Sequence, residues 1–239
     1  MSALELTGVT MRFGTRTVLE GLSVHIPLDA VTFIVGPSGA GKSVVCRLAV
    51  GLLKPDSGAI SLLGHAVHTL TESRLTALRR QVPYLVQGPA LLDALTLEAN
   101  VALTEGGPEA LSPREALEQL GVADFAQRFP HEVGPGIQKR VAIARALRLR
   151  PHYLLLDEPT TGLDRRAARS VRDSLSTLTR RGLGALVVSH DFEFLRESAD
   201  RVVVVGGGRV IFTGTRAEFL ASSAPEVRAL RDADAPERA

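Results

Sequence analysis

The chain has 239 residues, 45% of them hydrophobic, with 28 basic side chains against 26 acidic ones. That length holds one large domain or two small ones, and the apolar share supports a buried core and excludes disorder. A net charge of +2 is too balanced for a protein that coats nucleic acid, and the single cysteine, Cys46, excludes an intramolecular disulfide or a cysteine-rich metal site.

In chain order, Leu4–Val9, Val18–His25 and Val31–Val35 read as strands. The last is apolar nearly throughout, as a strand buried on both faces should be. A glycine-rich loop follows, and Ser43–Gly51 reads as a helix holding Cys46 as a small core hydrophobe. Lys54–Gly58 is turn chemistry, Ala59–Leu63 a strand, and about Thr71–Arg80 a helix. From about residue 88 to 150 the spacing is helical, interrupted at Gly106-Gly107-Pro108 and Phe129-Pro130. Strands return at Tyr153–Leu156, Leu183–Ser189 and Arg201–Val205 with helical spacing between them, and Gly206-Gly207-Gly208 turns a hairpin into Val210–Thr213. No internal repeat is evident. The fold class is α/β, with a mostly helical insert near residues 88–150. Apolar runs such as Val202–Val205 fall far short of the about 18 residues a membrane helix needs. The N-terminus lacks a basic start and an apolar signal core. The expectation is a chain that stays in the reducing compartment where it is made and meets membranes through a partner.

Gly36-Pro37-Ser38-Gly39-Ala40-Gly41-Lys42-Ser43 fits G-x-x-x-x-G-K-[ST], between the strand and the helix that this phosphate loop requires. Glycines let backbone N–H groups converge on phosphate oxygens, and the helix N-terminus adds favourable potential. Lys42 is placed to reach the β- and γ-phosphates and Ser43 to ligate Mg²⁺. These residues imply a bound nucleoside triphosphate. A second strand, Tyr153–Leu156, ends in Asp157-Glu158. Asp157 there could orient Mg²⁺ and Glu158 polarise the attacking water. Alone, such an acid pair more often opens a helix; beside a phosphate loop the catalytic reading prevails.

With those motifs in place, nearly the whole chain resembles the ATP-binding subunits of ABC transporters. Gln87 in Leu85-Val86-Gln87-Gly88 is similar to the family's Q-loop glutamine, which touches Mg²⁺ and faces the membrane subunit. Thr160–Asp164 resembles the D-loop, with Asp164 reaching the opposite site of a dimer, and Ser189-His190-Asp191 the H-loop, whose His190 contacts the γ-phosphate. Phe13 matches the aromatic that stacks on adenine. The resemblance implies a P-loop NTPase core with an antiparallel β subdomain and a helical subdomain (about 88–150), all within residues 1–222, followed by an extension over 223–239. It implies ATP and Mg²⁺, with Glu158, His190 and Gln87 catalytic and Ser43, Gln87 and Asp157 at the metal. It also implies a second ATPase chain, like or unlike, an integral-membrane permease subunit, no nucleic-acid partner, and a peripheral place on the cytoplasmic face of the cell membrane.

A narrower resemblance, to the Mla/Mce-type phospholipid-transport ATPases, rests on Lys42–Val45, Gly51–Gly58, Gly88–Thr96 and the tail Ala224–Leu230. It extends the partners to Mce-type lipid-binding and small regulatory subunits, and lets the tail pack against a neighbouring subunit. An ATPase for another substrate, a soluble ABC protein, and a weakly hydrolysing ATP-binding regulator remain open beside it. Pro89–Leu95 gathers Leu91, Leu92 and Leu95 with few charges, as core or as a docking surface for a permease helix.

One motif departs from the family. Where Leu-Ser-Gly-Gly-Gln is expected, after Phe129-Pro130-His131-Glu132, the chain has Val133-Gly134-Pro135-Gly136-Ile137, ahead of a well-matched Lys139–Leu147 helix. In the family this signature meets the γ-phosphate held by the opposite chain, the role that falls to Gly134 and Gly136 here. Gly134 has no hydroxyl and Pro135 no N–H, which predicts slow hydrolysis by a dimer of like chains. The alternative is that the backbone N–H groups of Gly136 and Ile137, at the helix N-terminus, suffice.

Overall fold

The computed structural model describes residues 2–232. Its centre is a six-stranded sheet in the order β10-β9-β3-β8-β7-β6: β3 (Val31–Val35), β6 (Tyr84–Leu85), β7 (Tyr153–Asp157), β8 (Gly184–Val188) and β9 (Arg201–Gly206) run parallel, and β10 (Arg209–Thr215) returns antiparallel on β9. Strand alternation splits this sheet between two cores. Phe33, Val35, Leu154, Leu156, Val187, Val202 and Val204 face one side; Ile34, Leu155, Leu186, Val188, Val203 and Val205 face the other. Because both faces are covered at β3, β7, β8 and β9, those strands are apolar almost throughout, which is why they read as runs.

A four-stranded antiparallel sheet, β2-β1-β4-β5, lies over the second core: β1 (Ala3–Phe13), β2 (Arg16–Pro27), β4 (Ser57–Leu62) and β5 (His65–Ala66). With it pack α1 (Lys42–Ala49) and α2 (Glu72–Gln81). The first core carries the helical subdomain, α3 (Leu97–Ala102), α4 (Pro113–Gln119) and α5 (Pro135–Leu147), together with α6 (Arg165–Arg180), α7 (Phe192–Ser198) and α8 (Arg216–Ala221). Local chemistry sets several of their starts. Ser112 and Glu115 form a capping box before α4, Thr215 and Glu218 another before α8, and Asp164 and Asp191 cap α6 and α7.

The expected fold class holds: an α/β core with an antiparallel β subdomain and a helical subdomain. Two short strands, β5 and β6, were not expected, and β1 runs on past Val9 to Phe13. Register shifts at Leu6/Val9 and Val9/Met11 break the alternation there, so the pattern fades before the strand does. The tail expected over 223–239 is described to residue 232. There α9 (Pro225–Asp232) lies on the chain's own core through Val227, with Arg231 donating to the Ser222 carbonyl at 2.8 Å. Residues 233–239 of that extension lie outside the described residues. Among the described residues, no helix is long and apolar enough to cross a membrane.

Candidate nucleotide site

The parallel strands end on one edge of the sheet, and the crevice outside the carboxyl ends of such strands is where α/β folds bind ligands. Here β3 runs into the phosphate loop, β6 into the loop carrying Gln87, β7 into Glu158, and β8 into Ser189-His190. Arg16, Val18, Ser38, Gly39, Gly41, Lys42, Ser43, Val44, Gln87, Glu158, Thr161 and His190 line one open cleft of about 500 Å³ on this edge.

Two glycines shape the loop. Gly36 has φ +152, and a Cβ there would stand 2.0 Å from the Val205 carbonyl oxygen; at Gly41, φ +95, it would stand 2.6 Å from Leu19 Cδ2. No side chain fits at Gly36 without moving the backbone of β9. The loop wraps the Lys42 ammonium, which donates to the carbonyls of Gly36 at 2.8 Å and Pro37 at 3.0 Å. Burial pushes Lys42 below the usual lysine range, opposed by the charges of Glu158 and Asp157.

Ser43 donates its hydroxyl to Asp157 Oδ1 at 2.8 Å, and Tyr84 donates to Asp157 Oδ2 at 2.7 Å. Burial first, then the bond to Asp157, raises the Tyr84 phenol far above its usual range, so it stays a donor. Next along the chain, Glu158 has φ +51, an uncommon conformation for a side-chain-bearing residue, held by its N–H bond to Val188 O at 2.8 Å. Its carboxylate lies 3.3 Å from His190 Nε2 and accepts from Thr161 Oγ1 at 2.8 Å. The arrangement presents a fixed cation, a hydroxyl–carboxylate pair, and a second carboxylate beside an imidazole. That set suits Mg²⁺ and a triphosphate: Mg²⁺ takes few protein oxygens and completes its shell with phosphates and water, and no cluster of three or more His, Cys, Asp or Glu side chains able to hold a metal occurs among the described residues.

The cleft thus brings together Ser38, Gly39, Gly41, Lys42, Ser43, Gln87, Glu158 and His190, with Asp157 beneath Ser43. Pro37 and Ala40 belong to the same loop without lining the cleft. Phe13 stands outside the cleft wall, 46% exposed, although Arg16, paired with it across the hairpin, is part of that wall. Gly134, Gly136 and Asp164 are not in the cleft either. Gly134 caps α5 and accepts the Ile137 and Gln138 amides. A Cβ on Gly136 would come 2.8 Å from Ala167 Cβ, so close packing of α5 on α6 is reason enough for a glycine there.

Sequence reasoning missed Lys139. It is buried on α5 and donates to the Gln87 carbonyl and, at 3.5 Å, to the Glu158 carbonyl. Burial lowers its pKa against the opposing charges of Asp157 and Glu158. Six residues along the same helix, Arg145 donates to the carbonyls of Ala90 at 2.8 Å and Pro89 at 3.3 Å. One helix therefore holds both the signature segment and the Gln87 loop. The signal available was a lysine in an apolar helix of a chain with only three lysines. Beyond this loop, buried Asn100 accepts from the Leu92 N–H and donates to the carbonyls of Leu92, Leu95 and Thr96, which leaves Leu92 52% exposed while Leu91 packs on the core.

Comparison with known proteins decides the family, since the profile described as ABC transporter matches residues 19–161. This chain belongs to the ABC transporter family. Its relatives include the methionine import ATP-binding protein MetN of Rhizobium johnstonii, 40% identical over 88% of this chain and 60% of that protein. Another is the sulfate/thiosulfate import ATP-binding protein CysA 2 of Chromobacterium violaceum, 38% identical over 92% of this chain and 61% of that protein. The chain thus spans about three-fifths of the length of these curated relatives. Among solved structures, a dimeric post-hydrolysis state of the ATP-binding cassette MJ0796 bound to ADP and Pi matches with a TM-score of 0.77 at 29% identity, covering 89% of this chain and 98% of that one. A bacterial Atm1-family ABC exporter with ATP bound matches with a TM-score of 0.84 at 26% identity, over 99% of this chain and 42% of that one. The narrower resemblance to lipid-transport ATPases finds no support among these relatives, which are named as methionine and sulfate importers.

Proposed function

We propose that this chain is the ATP-hydrolysing subunit of an ABC importer, working as one of two ATPase chains beneath a membrane permease. The observation that carries this is the cleft itself: Lys42, the Ser43–Asp157 pair and the Glu158–His190 pair meet on one sheet edge. Lys42 exchanges its loop carbonyls for the β- and γ-phosphates of ATP. Ser43, Asp157 and the Gln87 side chain would hold Mg²⁺, which would supply neutralisation of the phosphate charge. Glu158 takes the proton of the attacking water, and His190 donates to the γ-phosphate as charge develops there. The phosphate loop of one chain and the Gly134–Gly136 segment of the other enclose each nucleotide, with Asp164 at the shared boundary.

A small polar solute, imported by way of the permease, is the cargo that the relatives' names favour. The phospholipid reading rests on short segments and on the tail. Because Ala224, Val227 and Leu230 pack on this chain's own core, the tail's sequence is accounted for without a neighbouring subunit. Purifying the assembled transporter from its native membrane and identifying its subunits and bound molecules separates the two: an amino acid or oxyanion supports import, a phospholipid with an Mce-type subunit overturns it.

For the ATPase itself, Glu158→Gln should keep ATP binding while turnover falls by about 10²- to 10⁴-fold, and Lys42→Ala should lose tight binding. Equal turnover by wild type and Glu158→Gln in the assembled complex removes Glu158 from the chemistry.

A further inference from the structure

Arg172 lies in the middle of α6, 5% exposed, and takes no part in the cleft. One guanidinium nitrogen, Nη1, donates to Asp191 Oδ1 at 3.0 Å and to Glu193 Oε2 at 2.7 Å, while the buried Nε has no partner. A buried arginine with an unsatisfied N–H is a costly way to hold two helices together, because apolar residues of similar volume commonly do so at least as well. Of the two carboxylates it holds, Glu193 is exposed and Asp191 is the one tied to the rest of the fold.

Asp191 immediately follows His190. Its Oδ1 also accepts the Phe194 N–H at 2.9 Å, which caps α7, and its Oδ2 accepts from Thr160 Oγ1 at 3.1 Å. On the other side of the histidine, Ser189 Oγ accepts the Asp191 N–H at 3.0 Å. The backbone carrying His190 is therefore tied to α6 through Arg172, to α7 through its own cap, and to the loop after β7 through Thr160. The adjacent Thr161 donates to Glu158, the carboxylate that sits 3.3 Å from His190. Two consecutive threonines thus face two ways, one bracing Asp191 and the other bracing Glu158.

The geometry points to Arg172 as a positioning residue for His190. It acts through Asp191 and keeps the imidazole, itself 49% exposed in its side chain and otherwise free to swing, in register with Glu158. This rests on the proposed hydrolysis. Removing the guanidinium leaves Asp191, whose side chain is only 17% exposed, without its cation, so the loop should shift, and a shift of about 1 Å in a positioned group costs up to about 100-fold in rate.

The test uses the full chain in its assembled transporter. Arg172→Met should lower kcat by about 10- to 100-fold with the KM for ATP within about twofold. Amide hydrogen exchange should accelerate across residues 190–194. In a His190→Ala background the same change should cost less than about twofold, because the group it positions is already gone. Arg172→Lys, which keeps a cation for Asp191, should recover most of the rate. An unchanged kcat, or a loss that multiplies with that of His190→Ala, overturns the proposal. Should Arg172→Met fail to fold, Thr160→Val removes one bond to Asp191 without changing volume, and its kcat decides in the same way. If wild type itself does not hydrolyse ATP, the function reading fails by itself; exchange at residues 190–194 then carries the test, unchanged protection overturning the link between Arg172 and the His190 backbone.

Discussion

The phosphate cleft and the helical subdomain answer to different partners. In the cleft three charged groups are partnered within one chain: Lys42 by its own loop carbonyls, Asp157 by Ser43 and Tyr84, Glu158 by Thr161 and His190. The helical subdomain instead carries features left exposed on its surface. Asn100 spends its side-chain hydrogen bonds on a loop that holds Leu92 out in solvent, and α5 begins with an exposed Gly134-Pro135 that does not line the cleft. One region is a charged half-site whose groups a single chain positions; the other presents exposed surfaces, Leu92 and Gly134-Pro135, whose use can be tested by substitution.

Substitution at Leu92 is the sharpest way to break this contrast. If it is a docking residue, Leu92→Asp should weaken association with the permease by about 30-fold or more, the scale of an interface hot spot of about 2 kcal/mol. The isolated subunit should keep its ATP affinity and melt normally, because an exposed side chain contributes within about 0.5 kcal/mol. Association measured on detergent-solubilised complexes decides it; loss of folding in the isolated subunit would return Leu92 to the core.

A smaller effect is expected at α5. Gly134 has open space where a Cβ would go, so Gly134→Ser fits and restores a hydroxyl, while Pro135→Gly restores an N–H. Losing one oxyanion donor typically costs about 10²- to 10³-fold, so the double substitution should raise turnover of a like-chain dimer by at least about tenfold, a conservative share of that penalty. ATP binding by the isolated subunit should not change. Steady-state turnover in a like-chain dimer, under conditions where chemistry limits, measures it, and an unchanged rate shows that Val133–Ile137 is not a weakened half of the site.

The same contrast explains what could be read from the sequence. The phosphate loop, the acids Asp157 and Glu158 at the end of β7, and His190 were legible because each sits in a contiguous stretch whose spacing encodes its geometry: an apolar buried strand, then the reactive residue at its end. Lys139, Tyr84 and Arg172 were not. Each reaches the site or its supports across the fold, Lys139 over 52 positions to Gln87 and Tyr84 over 73 to Asp157. For Tyr84 and Arg172 no local pattern distinguishes them from core aromatic or surface charge, and for Lys139 the one cue is a lysine inside an apolar helix. The two-residue β6, which launches the Gln87 loop, is too short to show alternation and exists through its pairing with β7. Gly136 shows the converse: its place in a recognisable motif suggested a nucleotide contact, while packing on Ala167 already demands a glycine there.

Phe13 tests where the cleft's self-sufficiency ends. The resemblance makes it the residue that stacks on adenine, yet it stands half-exposed on the β1–β2 hairpin, with Arg16 rather than Phe13 lining the cleft. A base reaching that hairpin would gain one aromatic face open to solvent on its other side, so the expected contribution is at the low end of base stacking, about 1 kcal/mol or roughly fivefold in affinity. Phe13→Ala should therefore weaken ATP and ADP binding about equally, since the base is common to both, and leave kcat unchanged because no charge develops there. Stacking reads the π-face rather than the hydrogen-bonding edge, so GTP should lose a similar factor. Titration of the isolated subunit with the three nucleotides measures all of this. Unchanged affinity for all three would mean that the base stops short of the hairpin, and that the cleft holds nucleotide by its triphosphate alone.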